Sequence, residues 1–180
     1  MDFKVTRGLL LLAGLFFSIT AVAKPIQTDE TASLINQRLS YMKDVAGYKA
    51  NNHLAIEDLP QEANVLANSV REAETLGLDG KTVAPFIQAQ MDAAKAIQYR
   101  YRADWLSAPE NGWQPEPLDS VRAKISRLNT QILTSVSNKL KKGESFNDRF
   151  AFMKSLEQTH LKVGDKERLW QSLKQIALKR

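Results

Sequence analysis

The chain has 180 residues and a formal net charge of +5, from 25 basic and 20 acidic side chains. The basic residues are spread along the sequence and do not form the blocks typical of surfaces that bind nucleic acids or membranes, so neither partner is expected. The absence of cysteine and the wide separation of His53 and His160 argue against disulfides and against a zinc or copper site. We expect no metal and no cofactor.

An apolar segment, residues 8–20, follows two basic residues near the start of the sequence and precedes Ala21-Val22-Ala23. This order is typical of a secretory signal peptide that is cleaved after Ala23. The segment is too short for a comfortable membrane span of about 20 residues, and a chain without cysteine is not expected to carry a lipid anchor. We predict a signal peptide at residues 1–23, one domain at residues 24–180, and export to the periplasm or secretion without membrane anchoring of the mature form.

The periodic segments of the predicted domain all have helical spacing, and none alternates in the manner of a β-strand. The first predicted helix covers residues 31–50. The second begins near Asp58, where Gln61 three residues later suggests a capping box, and it ends at Gly77. The third covers residues 82–106.

A loop with three prolines, residues 107–118, separates the third helix from a fourth at residues 120–141. Two shorter helices are predicted to follow, framed by Gly143 and Gly164. Their apolar residues are Phe146, Phe150 and Met153 in one helix and Leu169, Leu173 and Ile176 in the other. The sequence therefore predicts an all-α fold, a single-domain bundle of about six helices.

Two cations lie on the apolar face of the first predicted helix. Arg38 and Lys49 are eleven residues apart, a spacing that returns to within about 20° of the starting direction on an α-helix. Both therefore share a face with Met42 and Val45. Taken alone, this pair is explained by long side chains that reach outward from the edge of a core.

Further polar residues fall on the inner faces of the next two predicted helices. Asp58 and Glu62 are one turn apart at the start of the second helix, and Gln98 lies on the apolar stripe of the third. Each has a structural explanation of its own, as a helix cap, a partner of the helix dipole or a bridge between backbone groups. Together with the two cations, they are better explained by a polar pocket for a charged ligand.

The same residues also stand in a specific order, which is Arg38-x10-Lys49-x6-Ile56-Glu57-Asp58-x3-Glu62, then the segment 92–101, then Arg122 after the proline-rich loop. This pattern resembles the all-helical chorismate mutases. It is most similar to their exported subclass, in which the active site is built within one chain. The resemblance covers the chain from about residue 34 to the fourth helix, and more loosely to the C-terminus.

The resemblance implies an isomerase that converts chorismate to prephenate in a unimolecular rearrangement, without a covalent nucleophile or cofactor, and relatives suggest a homodimer. This agrees with a chain that has no cysteine and no convincing Ser-His-Asp set. The implied catalytic residues are Lys49, Gln98, Glu62 and Arg38. The implied substrate-binding residues are Arg38, Lys49, Asp58, Gln61, Glu62, Ala94, Gln98 and Arg122.

Chorismate is a dianion, and its ether oxygen gains negative charge as the C–O bond breaks. By the resemblance, Arg38 and Arg122 bind the two carboxylates through their guanidinium groups. Lys49 and Gln98 donate hydrogen bonds to the ether oxygen. Catalysis is then electrostatic stabilisation of the transition state by preorganised donors.

The resemblance also implies that Asp58 and Glu62 hold the hydroxyl side of the substrate ring. Two neighbouring positions depart from the family pattern, because Gln61 stands where an arginine is usual and Ala94 where a serine or threonine is usual. One cation and one hydroxyl are therefore missing. A hydrogen bond to a charged group contributes roughly 1.5–3 kcal/mol, so each loss is expected to cost about ten- to a hundredfold in rate.

Two other interpretations remain open. An exported helical protein that binds a small carboxylate or a protein partner without catalysis would also use these polar residues, and the two departures favour that idea. A chaperone-like helical bundle without a ligand site would leave the polar residues on three apolar stripes unexplained.

Overall fold

The computed structural model describes residues 29–180, in which seven α-helices follow one another. The predicted signal peptide, residues 1–23, lies outside the described residues. The helices are α1 (Glu30–Ser40), α2 (Met42–Asn51), α3 (Leu59–Thr75), α4 (Gly80–Ser107), α5 (Leu118–Lys141), α6 (Arg149–Ser155) and α7 (Val163–Leu173). Within residues 29–180 there is no β-strand, only an isolated bridge between Leu78 and Leu178. The predicted all-α fold is confirmed.

The first predicted helix is divided into α1 and α2 at Tyr41, which accounts for the seventh helix. The backbone of Tyr41, with φ −74° and ψ −5°, stays in the right-handed region, so the interruption is local. The predicted common face survives it, because Arg38, Met42, Val45 and Lys49 are all buried.

Helix α4 packs against α2, α3 and α7, and α5 packs against α1, α2 and α3. Helix α6 connects α1 with α7. The segment after α7 returns to the turn between α3 and α4, where Asp79 N donates to Ala177 O at 2.8 Å and Lys179 N donates to Gly77 O at 2.9 Å. The largest fully buried side chains of the core include Phe86, Phe152, Ile35, Leu39, Ile97 and Leu133.

Aspartate side chains cap several helix N-termini. Asp79 Oδ1 accepts from Lys81 N at 3.0 Å, which starts α4 two residues before its predicted start. Asp58 Oδ1 accepts from Gln61 N at 3.3 Å, as predicted. The return bond of the predicted capping box is different, because Asp58 N donates to Glu62 Oε1 at 3.2 Å instead of to Gln61. A carboxylate is a stronger acceptor than an amide, and this bond orients Glu62.

The loop between α4 and α5 packs directly on the backbone of α2. A Cβ atom at Gly47 would lie 2.6 Å from Cζ3 of Trp113, so only glycine permits this contact. At the end of α3, Gly77 has φ +84°, a left-handed conformation that glycine adopts without strain. Both glycines help to set the positions of the helices that carry the polar residues.

The predictions for the last two helices are partly wrong. Phe146 precedes α6 and is buried, whereas Phe150 lies on α6 and is 75% exposed. In this helix of seven residues, Phe152 is the buried residue, and the predicted Met153 is partly buried against the core. Gly164 lies inside α7 and does not bound it, and Ile176 follows the end of α7, where it is buried.

Candidate active site

A cavity of about 440 Å³ lies among helices α1 to α5. This volume is within the range of small-molecule sites. All of the site residues predicted from the sequence line it, namely Arg38, Lys49, Asp58, Gln61, Glu62, Ala94, Gln98 and Arg122. The fold thus brings together side chains that lie up to 84 positions apart in the sequence.

Arg38 is a buried cation without a carboxylate partner among residues 29–180. Its Nε donates to Asn129 Oδ1 at 2.8 Å, and its Nη1 donates to the Gln90 carbonyl oxygen at 3.5 Å. Burial lowers the pKa of Arg38 well below its ordinary value, to about 10. The guanidinium is still protonated at neutral pH, and an anion in the cavity would supply the missing charge.

Lys49 is the second cation at the base of the cavity, and 7% of it is exposed. Its Nζ donates to the Ile56 carbonyl oxygen at 2.6 Å, which orients the ammonium and leaves two of its three N–H groups for a ligand. Burial lowers the pKa of Lys49 below 10.5, and Arg122 adds to this effect, while Asp58 and Glu62 oppose it.

The two carboxylates predicted for the site already have cationic partners. Asp58 Oδ2 accepts from Arg122 Nη2 at 3.2 Å, with both side chains about 40% exposed at the mouth of the cavity. Glu62 Oε2 accepts from Lys95 Nζ at 2.8 Å. Arg38 therefore differs from Arg122 and Lys95 in lacking an acidic partner. A buried cation without one favours a ligand that brings negative charge.

Gln98 lies on α4 with 5% exposed surface. Its Nε2 donates to the Ala94 carbonyl oxygen at 3.2 Å and contacts Met42 Sδ at 3.7 Å. Its buried Oε1 has no hydrogen-bond partner. A thioether is a weak acceptor, so a ligand oxygen that replaced the sulfur would receive one N–H of Gln98 without breaking the bond to the backbone. Ala94 is buried in the cavity wall and presents only a methyl group there.

Several polar residues of the cavity wall are absent from the sequence prediction, and two of them, Lys95 and Asn129, contact predicted site residues. Lys95 lies three residues after Asp92, at 3.6 Å from its carboxylate, a spacing typical of an exposed ion pair on a helix. Asn129 adjoins the apolar stripe of α5 but is not part of it. Their partners, Glu62 and Arg38, are 33 and 91 residues away. Neither contact can therefore be predicted from the spacing of residues along one helix.

A family profile described as "Chorismate mutase type II" matches residues 28–99, the segment that forms α1, α2, α3 and most of α4. A secreted chorismate mutase from Yersinia pestis is 51% identical over 174 residues, which cover 96% of this chain and 93% of the relative. The chain belongs to the chorismate mutase type II family. A monofunctional chorismate mutase from Enterobacter agglomerans is 45% identical over 146 residues, 81% of each chain.

Solved structures of chorismate mutases share this fold. The crystal structure of the secreted enzyme from Yersinia pestis superimposes with a TM-score of 0.82 and 52% identity, and it covers 85% of this chain and 100% of that one. The structure from Burkholderia thailandensis, with a TM-score of 0.65 and 24% identity, covers 79% and 94%. That second likeness concerns the fold alone. The resemblance identified from the sequence is confirmed at the level of the family and of the all-helical architecture.

Proposed function

We propose that this chain is an isomerase that converts chorismate to prephenate. The observation that carries the proposal is the cavity itself, where Arg38 is buried without a carboxylate partner and Lys49 offers free N–H groups, in a chain of the chorismate mutase family. Chorismate carries two carboxylates, so it supplies the negative charge that these cations lack.

The reaction is unimolecular, since the ether C–O bond breaks as a C–C bond forms and no atom or proton is gained or lost. The protein has two tasks. It holds the substrate in a folded geometry in which the reacting carbons are close, and it stabilises the charge that develops on the ether oxygen. Among the side chains of the described cavity, we assign the carboxylates to Arg38 and Arg122, and the ether oxygen to Lys49 and Gln98.

Glu62 can serve the hydroxyl side of the substrate ring although both of its oxygens have partners. Its Oε1 accepts from Asp58 N and its Oε2 from Lys95 Nζ. Each carboxylate oxygen has a second lone pair, so Glu62 can accept a further hydrogen bond from a hydroxyl group. These existing contacts fix its orientation before the substrate arrives.

The direct test adds chorismate to the purified mature chain and follows the loss of its absorbance and the formation of prephenate. We expect saturable turnover that a metal chelator does not change. If the absorbance is unchanged while a dicarboxylate raises the melting temperature, the protein binds anions without catalysis and the proposed activity is wrong.

The same site makes a prediction about pH. Gln98 does not titrate, and Lys49 is the donor that loses charge as the pH rises. We expect kcat to be nearly constant from about pH 5 to 8 and to fall in the alkaline range. Because burial lowers the pKa of Lys49, this fall occurs at a lower pH than for a lysine in water. Measurements of kcat across this pH range check the prediction. A steep fall in kcat between pH 6 and 7 would mean that an acid other than the assigned side chains must be protonated for catalysis.

We also propose that the protein is exported after cleavage between Ala23 and Lys24. The motif at residues 21–23 supports this, and one relative is described as secreted. Within residues 29–180, no helix has the length and apolar character needed to cross a membrane. We expect the intact mass of protein from the exported fraction to match a chain that starts at Lys24. Recovery of the uncleaved chain from that fraction would contradict the proposal.

A homodimer is the assembly that we expect from the resemblance to the exported subclass. Sedimentation equilibrium of the mature chain tests it, because a dimer has twice the mass of the chain measured by mass spectrometry. A single species at the mass of one chain over the micromolar range would refute the dimer.

A further inference from the structure

Lys95 lies in the cavity wall, on the helix that also carries Ala94 and Gln98. Its Nζ is 2.8 Å from Glu62 Oε2 and 3.6 Å from Asp92 Oδ1, and 23% of its side chain is exposed. Asp92 also accepts a hydrogen bond from Gln88 Nε2 at 2.9 Å. The ammonium group is therefore held at the cavity by Glu62, and one donated bond leaves it further N–H groups.

We propose that Lys95 is a substrate-binding residue that supplies the positive charge that Gln61 does not provide. The proposal rests on the proposed function. Gln61 is a neutral residue that lines the cavity, at the position where the family resemblance implies an arginine. The Lys95 ammonium contacts the carboxylate of Glu62, the residue next to Gln61. A cation thus reaches this part of the cavity from α4 instead of from α3.

The charges of the cavity support this assignment. In the part of the chain that the structure describes, the lining includes four basic and three acidic side chains, which are Arg38, Lys49, Lys95 and Arg122, and Asp58, Glu62 and Glu72. Four minus three leaves one positive charge, and without Lys95 the sum is zero. Loss of Lys95 would also leave the Glu62 carboxylate without its cation. An unpaired carboxylate in a partly enclosed cavity repels a dianion.

The alternative is that Lys95 only holds Glu62 in place. A glutamine at position 95 keeps an N–H donor for Glu62 but has no charge, whereas a methionine has neither. If Lys95 acts through its charge, both substitutions weaken substrate binding. If it acts only by orienting Glu62, glutamine preserves binding and methionine does not. Both residues have helix propensities close to that of lysine, so α4 is expected to fold in each variant.

The experiment compares the steady-state kinetics of chorismate turnover in the wild type, Lys95→Met and Lys95→Gln. The matched control is Lys43→Met, because Lys43 is also a lysine paired with a glutamate, Glu110 at 2.6 Å, but does not line the cavity. We expect KM to rise about tenfold or more in both Lys95 variants, as for loss of a charged hydrogen bond, with a smaller change in kcat. The KM and kcat of Lys43→Met should stay within about twofold of the wild-type values.

A double-mutant cycle tests whether a cation at position 61 and the cation at position 95 bind the same negative group of the substrate. We expect Gln61→Arg to lower KM more in the Lys95→Met background than in the wild type. If Gln61→Arg changes KM by the same factor in both backgrounds, the idea that Lys95 replaces the cation missing at position 61 is wrong. A KM near the wild-type value in both Lys95 variants, or in Lys95→Gln alone, would overturn direct binding by charge.

A calorimetric titration with prephenate separates failure of this inference from failure of the proposed function. Prephenate is a dicarboxylate that needs no turnover to be measured. If the wild type binds prephenate but does not convert chorismate, the proposed activity fails, and weaker binding by both Lys95 variants still supports Lys95 as an anion-binding residue. Unchanged prephenate affinity in both variants refutes the inference whether or not the wild type is active.

Discussion

Lys49→Ala is expected to lower kcat for chorismate by about a hundred- to a thousandfold, the effect of removing one preorganised donor from a transition state. The Lys49 ammonium is buried and oriented by its bond to the Ile56 carbonyl oxygen, so it needs little reorganisation as charge develops on the ether oxygen. The helix should remain intact, because alanine is the best helix former. Water entering the cavity can satisfy the freed carbonyl. Rates, helical content and melting temperature are measured together.

Lys43→Ala is the control for this prediction. Lys43 lies on the same helix α2 and forms an ion pair with Glu110 outside the cavity. Its replacement should leave kcat and KM close to those of the wild type. A Lys49→Ala variant with kcat within tenfold of the wild type would contradict the assignment, and parallel loss of melting temperature and activity would show a structural role instead.

Arg38→Met is expected to raise KM by about ten- to a hundredfold, because a charged hydrogen bond to the substrate is lost, while the melting temperature stays equal or rises by a few degrees. Burial lowers the pKa of Arg38 to about 10, a penalty on the protonated form that is on the order of 3 kcal/mol. Since Arg38 is protonated in both the folded and the unfolded chain at pH 7, folding bears this penalty. Methionine removes it, and loss of the bond to Asn129 offsets part of the gain.

The contrasting variant is Arg100→Met. Arg100 pairs with Asp165, a carboxylate that is 4% exposed and lies away from the cavity. Its removal leaves a buried carboxylate with one cationic partner, the largely exposed Arg168, and a hydrogen bond from the Lys162 backbone N–H. Such a change is strongly destabilising, and we expect a clear fall in melting temperature without a specific rise in KM. If Arg38→Met instead melts as low as Arg100→Met, the Arg38 guanidinium holds the fold together and is not kept mainly for a ligand.

Much of the fold follows from local patterns. Helices α3, α4 and α5 begin and end within two residues of their predicted bounds. The signals that set these bounds, which are apolar periodicity, aspartate caps and Gly77, act over a few residues. The C-terminal predictions failed at Phe150, which is exposed, whereas Ile176 is buried as expected but lies beyond the end of α7. Short helices have too few turns for periodicity to indicate which side chains reach the core.

The candidate site shows the same division. The common face of Arg38 and Lys49 could be predicted because eleven residues bring two side chains to one direction of a helix. The position of the Gln98 amide, with its N–H groups on Ala94 and Met42, could not. That arrangement depends on how α2 and α4 approach one another.

The sequence by itself determined the helical class, the family and the polar residues that face inward, since each of these depends on spacing along one helix or on the order of residues in the chain. Only the tertiary structure decided which polar and charged side chains meet. The pairing of Glu62 with Lys95, of Asp58 with Arg122 and of Arg38 with Asn129 joins residues that are 33, 64 and 91 positions apart. Coulomb energy and hydrogen bonding depend on distance and burial in space, and those quantities exist only once the helices have packed.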